Sequence, residues 1–133
     1  MDKARFSHWV STGIACVLVS LTAACAIFGS RPPEVEVKER AQLRWNALVQ
    51  GDLKTAYEYF SPGSRMGFQL ADFGSSIRIG FWKAVQVDTV ECSSPDRCEV
   101  TATMDYVHRG MKITTPHRET WIREGSNWWF LRK

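Results

Sequence analysis

His117 and Glu119 form the pair of residues in this sequence that could most directly do chemistry. They are two positions apart in a segment of alternating character, so on a β-strand they point to the same face as Trp121. A histidine beside a carboxylate is typical of general acid–base catalysis. The alternative is structural, with Glu119 paired to a helix arginine or to backbone N–H groups and His117 near the rim. The sequence leaves both interpretations open.

Other catalytic and ligand-binding patterns are missing from the sequence. The two histidines that follow the N-terminal segment, His108 and His117, lie in separate stretches and do not have the spacing of metal ligands. No serine or cysteine lies in a nucleophile motif, and no glycine-rich phosphate loop is present. We therefore predict no metal ion and no cofactor.

The charge balance excludes one class of partner. The chain has 133 residues, with 17 Lys and Arg against 14 Asp and Glu, which gives a net charge of +3. Such a small excess, scattered along the chain, is not the basic patch of a nucleic-acid-binding protein. We predict no nucleic-acid partner.

The first 24 residues have the composition of an export signal. Lys3 and Arg5 precede an uncharged and largely apolar stretch, residues 9–24, which ends in two alanines before Cys25. This ending resembles the lipobox of bacterial lipoprotein precursors, which implies cleavage after residue 24 and acylation of Cys25. Two alternatives stay open: a cleaved signal peptide that releases a soluble domain, and an uncleaved membrane-spanning helix.

The same resemblance implies a location in the bacterial cell envelope. We predict a signal peptide at residues 1–24, a lipidated cysteine and tether at 25–33, and a folded domain at 34–133. Acyl chains on Cys25 would hold the domain at a membrane. Ala26 is not aspartate, which by resemblance to Gram-negative lipoproteins favours the outer membrane, with the domain facing the periplasm.

Cys92 and Cys98 are the two cysteines of the predicted folded domain. All three interpretations of the N-terminal segment place this domain outside the cytoplasm, where disulfides form and persist. The two cysteines flank a turn-rich stretch between two strand-like runs. We predict a disulfide that closes this hairpin. The alternative, a redox or metal-binding pair, lacks the C-x-x-C spacing and a neighbouring histidine.

Helices are predicted in the first part of the domain. From residue 34 apolar residues recur at spacings of three and four, and Gly51 fits the C-terminal cap of this helix. Asp52 fits the N-cap of a second helix, which ends near residue 60. A third short helix is predicted over residues 64–73.

Strands are predicted after Gly80, where the hydrophobic period changes from 3.6 to 2. The alternation slips between Val87 and Val90, which predicts a β-bulge. Trp128 and Trp129 are consecutive, so one should enter the core and the other should lie on the opposite face. The four predicted strands cover residues 81–92, 98–108, 111–123 and 128–132.

Several short motifs link this layout to a known family. They are Arg44-Trp45-Asn46-Ala47-Leu48 with Gly51-Asp52, Ala56-Tyr57, Ser61-Pro62, Glu119-x-Trp121-Ile122 and Gly125-x-Asn127-Trp128-Trp129. Together they resemble the NTF2-like superfamily, of the SnoaL and ketosteroid-isomerase type, and look most like its small bacterial lipoproteins of unassigned function. The resemblance implies an α+β fold in which N-terminal helices pack on a curved four-strand antiparallel sheet to form a cone.

The resemblance also suggests a partner for Glu119. In an NTF2-like cone the third helical segment and the central strand face one another across the pocket. A lone carboxylate there would be costly to desolvate, and a guanidinium group is the simplest partner. We therefore predict a structural ion pair between Arg65 and Glu119.

The predicted function is that of a non-enzymatic envelope lipoprotein that binds a small apolar ligand or an envelope protein. One alternative is a pocket enzyme of isomerase or dehydratase type with His117 or Glu119 as base. Another is a docking subunit of an envelope or secretion complex. The resemblance also implies a possible homodimer through the sheet. A cone filled by side chains would favour docking, and an open cone would favour ligand binding or catalysis.

Overall fold

Four helices precede a four-stranded antiparallel sheet in the computed structural model, which describes residues 31–133. The strands are hydrogen-bonded in sequence order, β1-β2-β3-β4. This arrangement confirms the predicted α+β class. The elements are α1 (Pro33–Gln50), α2 (Leu53–Glu58), α3 (Pro62–Gly67), α4 (Leu70–Ser76), β1 (Trp82–Ser94), β2 (Arg97–His108), β3 (Met111–Glu124) and β4 (Asn127–Leu131).

The predictions for the N-terminal segment concern residues that the structure does not describe. The signal peptide, the lipidation of Cys25 and most of the tether lie outside the described residues. Among residues 31–133, no helix combines the length and the apolar character needed to cross a membrane.

Helix α1 forms where the sequence predicts it. Pro33 occupies its first turn, where a missing N–H costs nothing. Gly51 ends the helix with φ 79°, a left-handed conformation that glycine adopts easily, and its N–H donates to the carbonyls of Ala47 and Leu48. Asp52 caps α2 as predicted, since its Oδ1 accepts from the Thr55 N–H at 3.1 Å.

The predicted third helix is two short helices, α3 and α4. Phe68 lies between them in an extended conformation, with φ −143° and ψ 98°. This break turns the Phe68 ring into the core, where its centroid is 5.9 Å from Phe60 and 6.2 Å from Phe73. Burial of a large aromatic ring outweighs the continuation of one helical turn.

The sheet contains the predicted bulge. The β1–β2 register shifts between Val87 and Thr89, inside the segment where the alternation slips. Pro116 faces Thr103 of β2, and β4 pairs with β3 only at residues 120–124. The proline therefore lies where one side of β3 has no strand partner, which is the edge position that the missing N–H requires.

One face of the sheet and the inner face of α1 form the core. Trp121 and Trp128 are fully buried on this face of the sheet. Trp129 points away and is half-buried, as the consecutive tryptophans predict. The other fully buried apolar side chains include Val37, Ala41, Ala56, Cys98, Val100 and Ala102.

Both edges of the sheet carry hydrogen bonds from outside it. At β1, the Val87 N–H donates to Oε1 of Gln42 at 2.8 Å, and Nε2 of Gln42 donates to the Val85 carbonyl at 2.9 Å. At β4, the Phe130 N–H donates to the carbonyl of Tyr59 at 2.8 Å, and the Ser61 N–H donates to the carbonyl of Phe130 at 2.9 Å. The amide of Gln42 and the segment after α2 thus each take the place of a neighbouring strand.

Cys92 and Cys98 are bonded to each other. They are direct partners in the β1–β2 register, so the bond closes this hairpin as predicted. The Cys98 side chain is fully buried in the core face of the sheet. The disulfide therefore ties the outer strand to the buried end of the sheet.

Candidate functional site

Glu119 lies at the centre of the covered sheet face, and its partner is Arg44. Oε1 of Glu119 is 2.6 Å from Nη1 of Arg44, and the two side chains are 1% and 6% exposed. Oε2 accepts a hydrogen bond from Nε1 of Trp121 at 3.1 Å. Both carboxylate oxygens are engaged and out of contact with solvent, so a substrate cannot reach them.

The predicted ion pair between Arg65 and Glu119 is therefore wrong, because Glu119 pairs with Arg44. Arg65 lies in α3, with its guanidinium carbon 5.5 Å from the ring centroid of Trp129 and on the far side of β4 from Glu119. The physical reason is the pairing of Ser61 with β4, which places α3 outside the sheet edge instead of over the sheet. A buried carboxylate did require a guanidinium group, and α1 supplies it.

Aromatic rings complete the surroundings of Arg44. Its guanidinium carbon is 3.8 Å from the ring centroid of Phe130, 5.5 Å from that of Phe60 and 5.2 Å from that of Trp45. Burial lowers the pKa of Arg44 from its ordinary value, and the charge and hydrogen bond of Glu119 oppose this shift. Nε of Arg44 has no hydrogen-bond partner within residues 31–133. The ion pair and these rings occupy the space between α1 and the centre of the sheet, and a shallow groove of about 240 Å³ lies beside them, lined in part by His117, Glu119 and Phe130.

His117 lies at the border of this filled centre. Its Nε2 is 3.8 Å from Oε1 of Glu119, and its side chain is 40% exposed. The ring of Trp45 meets the imidazole edge-on, with centroids 5.4 Å apart. The two candidate catalytic residues are thus neighbours, but one is an ion-paired core residue and the other is at the rim.

Beyond His117 the same sheet face carries half-buried aromatic side chains. Trp82, Tyr106 and Ile113 are register partners across β1, β2 and β3, so they share a face. Phe81 stacks on Tyr106 at 4.8 Å, and Trp82 packs edge-on against Trp45 at 5.5 Å. We call the surface of Phe81, Trp82, Tyr106 and Ile113 the aromatic end. Each of these four side chains is half-buried, so part of each ring or chain is open to solvent.

A groove lies on the other side of β4. It has a volume of about 550 Å³ and is lined by Arg40, Thr55, Glu58, Tyr59, Arg65, Asn127 and Trp129. We call it the arginine groove. The sequence pattern did not single out this site, because its residues come from α1, α2, α3 and β4 and meet only through the fold. Within residues 31–133, no group of His, Cys, Asp and Glu side chains could hold a metal ion.

Comparisons with known proteins give the fold and no more. No family model and no curated protein matches this chain. Among solved structures, a SEC-C motif protein from Rhodopseudomonas palustris superposes with a TM-score of 0.58 at 15% identity, over 70% of this chain and 73% of the other. A SEC-C motif protein from Psychrobacter arcticus superposes with a TM-score of 0.61 at 13% sequence identity. The match covers 72% of this chain and 58% of the other.

A third similar structure bears on the predicted superfamily. A protein from Campylobacter jejuni, named as an NTF2-like transpeptidase, superposes with a TM-score of 0.56 at 14% identity. The match covers 73% of this chain and 98% of the other. Helices followed by an open four-strand antiparallel sheet are consistent with an NTF2-like cone, and this likeness supports the predicted fold.

Proposed function

We propose that this chain is a lipid-tethered binding domain of the bacterial cell envelope that docks a partner protein through the aromatic end and performs no catalysis. The observation that carries the proposal is the contrast on one sheet face. Its centre is closed by the Arg44–Glu119 pair, while the aromatic end presents rings that the helices leave half-open.

The filled centre argues against a pocket enzyme. A general base must reach the proton that it removes. Glu119 is 1% exposed and already neutralised by Arg44, so it is poorly suited to that role. His117 is reachable: it packs edge-on against Trp45, and it lines a shallow groove of about 240 Å³ in which Phe130 and Leu131 supply apolar contacts.

The aromatic end suits a protein surface better than a small molecule. Small ligands are held in concave pockets that bury most of their surface. Large, rigid side chains such as Trp82 and Tyr106 contribute most of the binding energy at protein interfaces, at a low entropic cost. Met111, at the tip of the β2–β3 hairpin and on the same sheet face, is 62% exposed and would extend the apolar contact. The partner that fits is an apolar segment of an envelope protein.

The tether would hold this surface close to the membrane. Pro33, the first residue of α1, is eight positions after Cys25. At about 3.3–3.6 Å per residue, these eight steps span at most about 29 Å. The domain would then meet partners in or next to the same membrane, by the resemblance the outer one, with its docking surface in the periplasm.

Site-specific photocrosslinking tests the docking surface. A photoreactive amino acid at position 106 should crosslink one defined envelope protein in cells, and the same group at Thr101, on the opposite sheet face, should not. Trp82→Ala should abolish the adduct formed from position 106. Equal crosslinking from both positions, or none from position 106, would contradict the proposal. A small molecule retained at this surface would favour the ligand-binding alternative.

Membrane fractionation tests the tether separately. Cys25→Ser should move the protein from the membrane to the soluble fraction, because the thioether that carries the lipid cannot form. Cys16→Ser is the matched control and should stay membrane-bound. A Cys25→Ser protein that remains in membranes after a high-salt wash would support the uncleaved helix instead.

A further inference from the structure

The arginine groove contains two guanidinium groups that the fold holds in place without neutralising them. The guanidinium carbons of Arg40 and Arg65 lie 5.6 Å and 5.5 Å from the ring centroid of Trp129. Arg40 also lies 5.2 Å from the ring centroid of Tyr59. Nε1 of Trp129 donates to the Glu124 carbonyl at 3.4 Å, which fixes the indole between the arginines and β4.

The donors of these groups remain largely unused. Nε of Arg40 donates to the Trp128 carbonyl at 2.9 Å, which leaves its two terminal nitrogens. The side chain of Arg65 forms no hydrogen bond, and neither arginine has a carboxylate within 4 Å, among residues 31–133. Contact with an aromatic face orients a guanidinium group but leaves the N–H groups in its plane free.

We infer that the arginine groove is a binding site for a small ligand with one oxyanion group, a carboxylate or a phosphate, held by Arg40 and Arg65. The planar fork of a guanidinium group matches either oxyanion with two parallel hydrogen bonds. The groove volume of about 550 Å³ lies within the range of ligand sites, so the ligand has a body beyond the oxyanion.

The other residues that line the arginine groove indicate the chemistry of the rest of the ligand. Thr55 and Asn127 add a hydroxyl and an amide that can hydrogen-bond a polar ligand. Glu58 is a third polar group, and its carboxylate accepts hydrogen bonds and repels a second negative charge. The site therefore favours a ligand that has a single oxyanion group and neighbouring hydroxyl groups over a ligand that has several oxyanion groups. An acidic sugar and a sugar-alcohol phosphate both have this chemistry.

This site is independent of the proposed docking function. The groove and the aromatic end share no residue and lie at different parts of the sheet. A variant that no longer binds the oxyanion should give the same crosslink from position 106. A variant that no longer forms this crosslink should still bind the oxyanion.

The test uses the full chain, purified in a non-ionic detergent, and two probes, glucuronate and glycerol 3-phosphate. Binding is followed by NMR through the Trp129 indole N–H and the Arg Nε–H resonances. We expect saturable shifts that map to the groove. Arg65→Gln should weaken binding at least tenfold, and Arg65→Lys, which keeps the charge but loses the fork, should weaken it less.

Arg78→Gln is the matched control, since Arg78 is an exposed arginine outside the groove, and it should bind like the wild type. Tighter binding of one probe identifies the oxyanion as carboxylate or phosphate. Shifts that do not saturate, or equal affinity of the wild type and Arg65→Gln, would overturn the inference. Arg65 makes no structural hydrogen bond through its side chain within the described chain, so its replacement should not unfold the protein.

Discussion

The covered centre of the sheet and its aromatic end belong to one face of the same strands, yet they are built in opposite ways. At the centre, α1 lies over the strands and Arg44, Glu119 and Trp121 are excluded from water. At the aromatic end, Trp82 and Tyr106 keep part of their rings in solvent. Trp45, which is 3% exposed and touches both His117 and Trp82, marks the boundary.

The difference teaches where this domain concentrates its stability. Replacing one partner of a buried ion pair strongly lowers the free energy of unfolding, because the other charge remains buried without a counter-charge. A half-exposed ring loses only part of its burial when it is replaced. The centre therefore contributes most to the stability of the fold, and the aromatic end contributes less.

The largest expected effect comes from breaking the pair at the centre. Glu119→Gln should lower the free energy of unfolding by about 3–5 kcal/mol, because Arg44 is left buried without a counter-charge. Arg44→Met in the same chain should recover part of that loss. Urea unfolding followed by tryptophan fluorescence measures both changes.

Glu99→Gln is the matched control for this pair. Glu99 forms an ion pair with Arg97 in which both side chains are at least 40% exposed, so its loss should cost less than about 1 kcal/mol. If Glu119→Gln were as mild as Glu99→Gln, the centre would not be the stabilising region, and Glu119 would again be a candidate catalytic base.

A smaller effect is expected at the hairpin that the disulfide closes. Replacing Cys92 and Cys98 together by serine should lower the free energy of unfolding by at least about 2 kcal/mol, since the short closed loop is lost and a serine hydroxyl is buried at position 98. Reduction of the wild-type protein should give a similar loss, while the reductant should not affect the double variant. A loss near zero would mean that packing at the buried end of the sheet already fixes this hairpin.

The smallest effect is expected on the outer face of the β2–β3 hairpin. Asp105 accepts a hydrogen bond from Thr114 at 2.6 Å and pairs with Lys112 at 2.8 Å. The hydrogen bond from Lys112 and then that from Thr114 lower the pKa of Asp105 below its ordinary value. Because the pKa is lower in the folded protein, this contribution is present above the ordinary pKa and is lost as the pH falls through the folded value.

An NMR titration of the aspartate carboxyl groups measures this shift. Lys112→Gln should move the pKa of Asp105 towards its ordinary value. Asp52 is an internal control, because Thr55 is the main cause of its lowered pKa and is unchanged in the variant. The stability of the fold at neutral pH should change little, since Lys112 is 69% exposed and ion pairs of exposed side chains contribute little.

The fold was predictable because its signals are local. Apolar residues spaced by three and four predicted α1. The alternation of apolar and polar residues predicted the strands and the bulge near Val87, and turn-forming residues predicted the hairpins. The split of the third helix was missed because the pull of Phe68 into the core is a tertiary effect. The arginine groove was missed for the same reason, as four separate elements form it.

The partner of Glu119 could have been found from the sequence. Val37, Ala41, Arg44 and Leu48 follow spacings of 4, 3 and 4, which is the stripe that a helix turns towards a core. An arginine in such a stripe indicates a buried guanidinium group that needs a carboxylate. Arg65 was predicted instead because, in the NTF2-like cone that the chain resembles, the third helical segment faces the central strand across the pocket.

The two capped sheet edges bear on self-association. A bare strand edge is a template on which a second molecule can add its own strand, the route by which many β-proteins aggregate. Here the amide of Gln42 occupies the outer edge of β1 beside the bulge, and the segment from Tyr59 to Ser61 occupies that of β4. Joining two sheets side by side would first require these groups to be displaced. Strand addition by a second molecule should therefore be disfavoured at these two places, while the edge of β3 before residue 120 has no strand partner within residues 31–133 and is guarded there by Pro116.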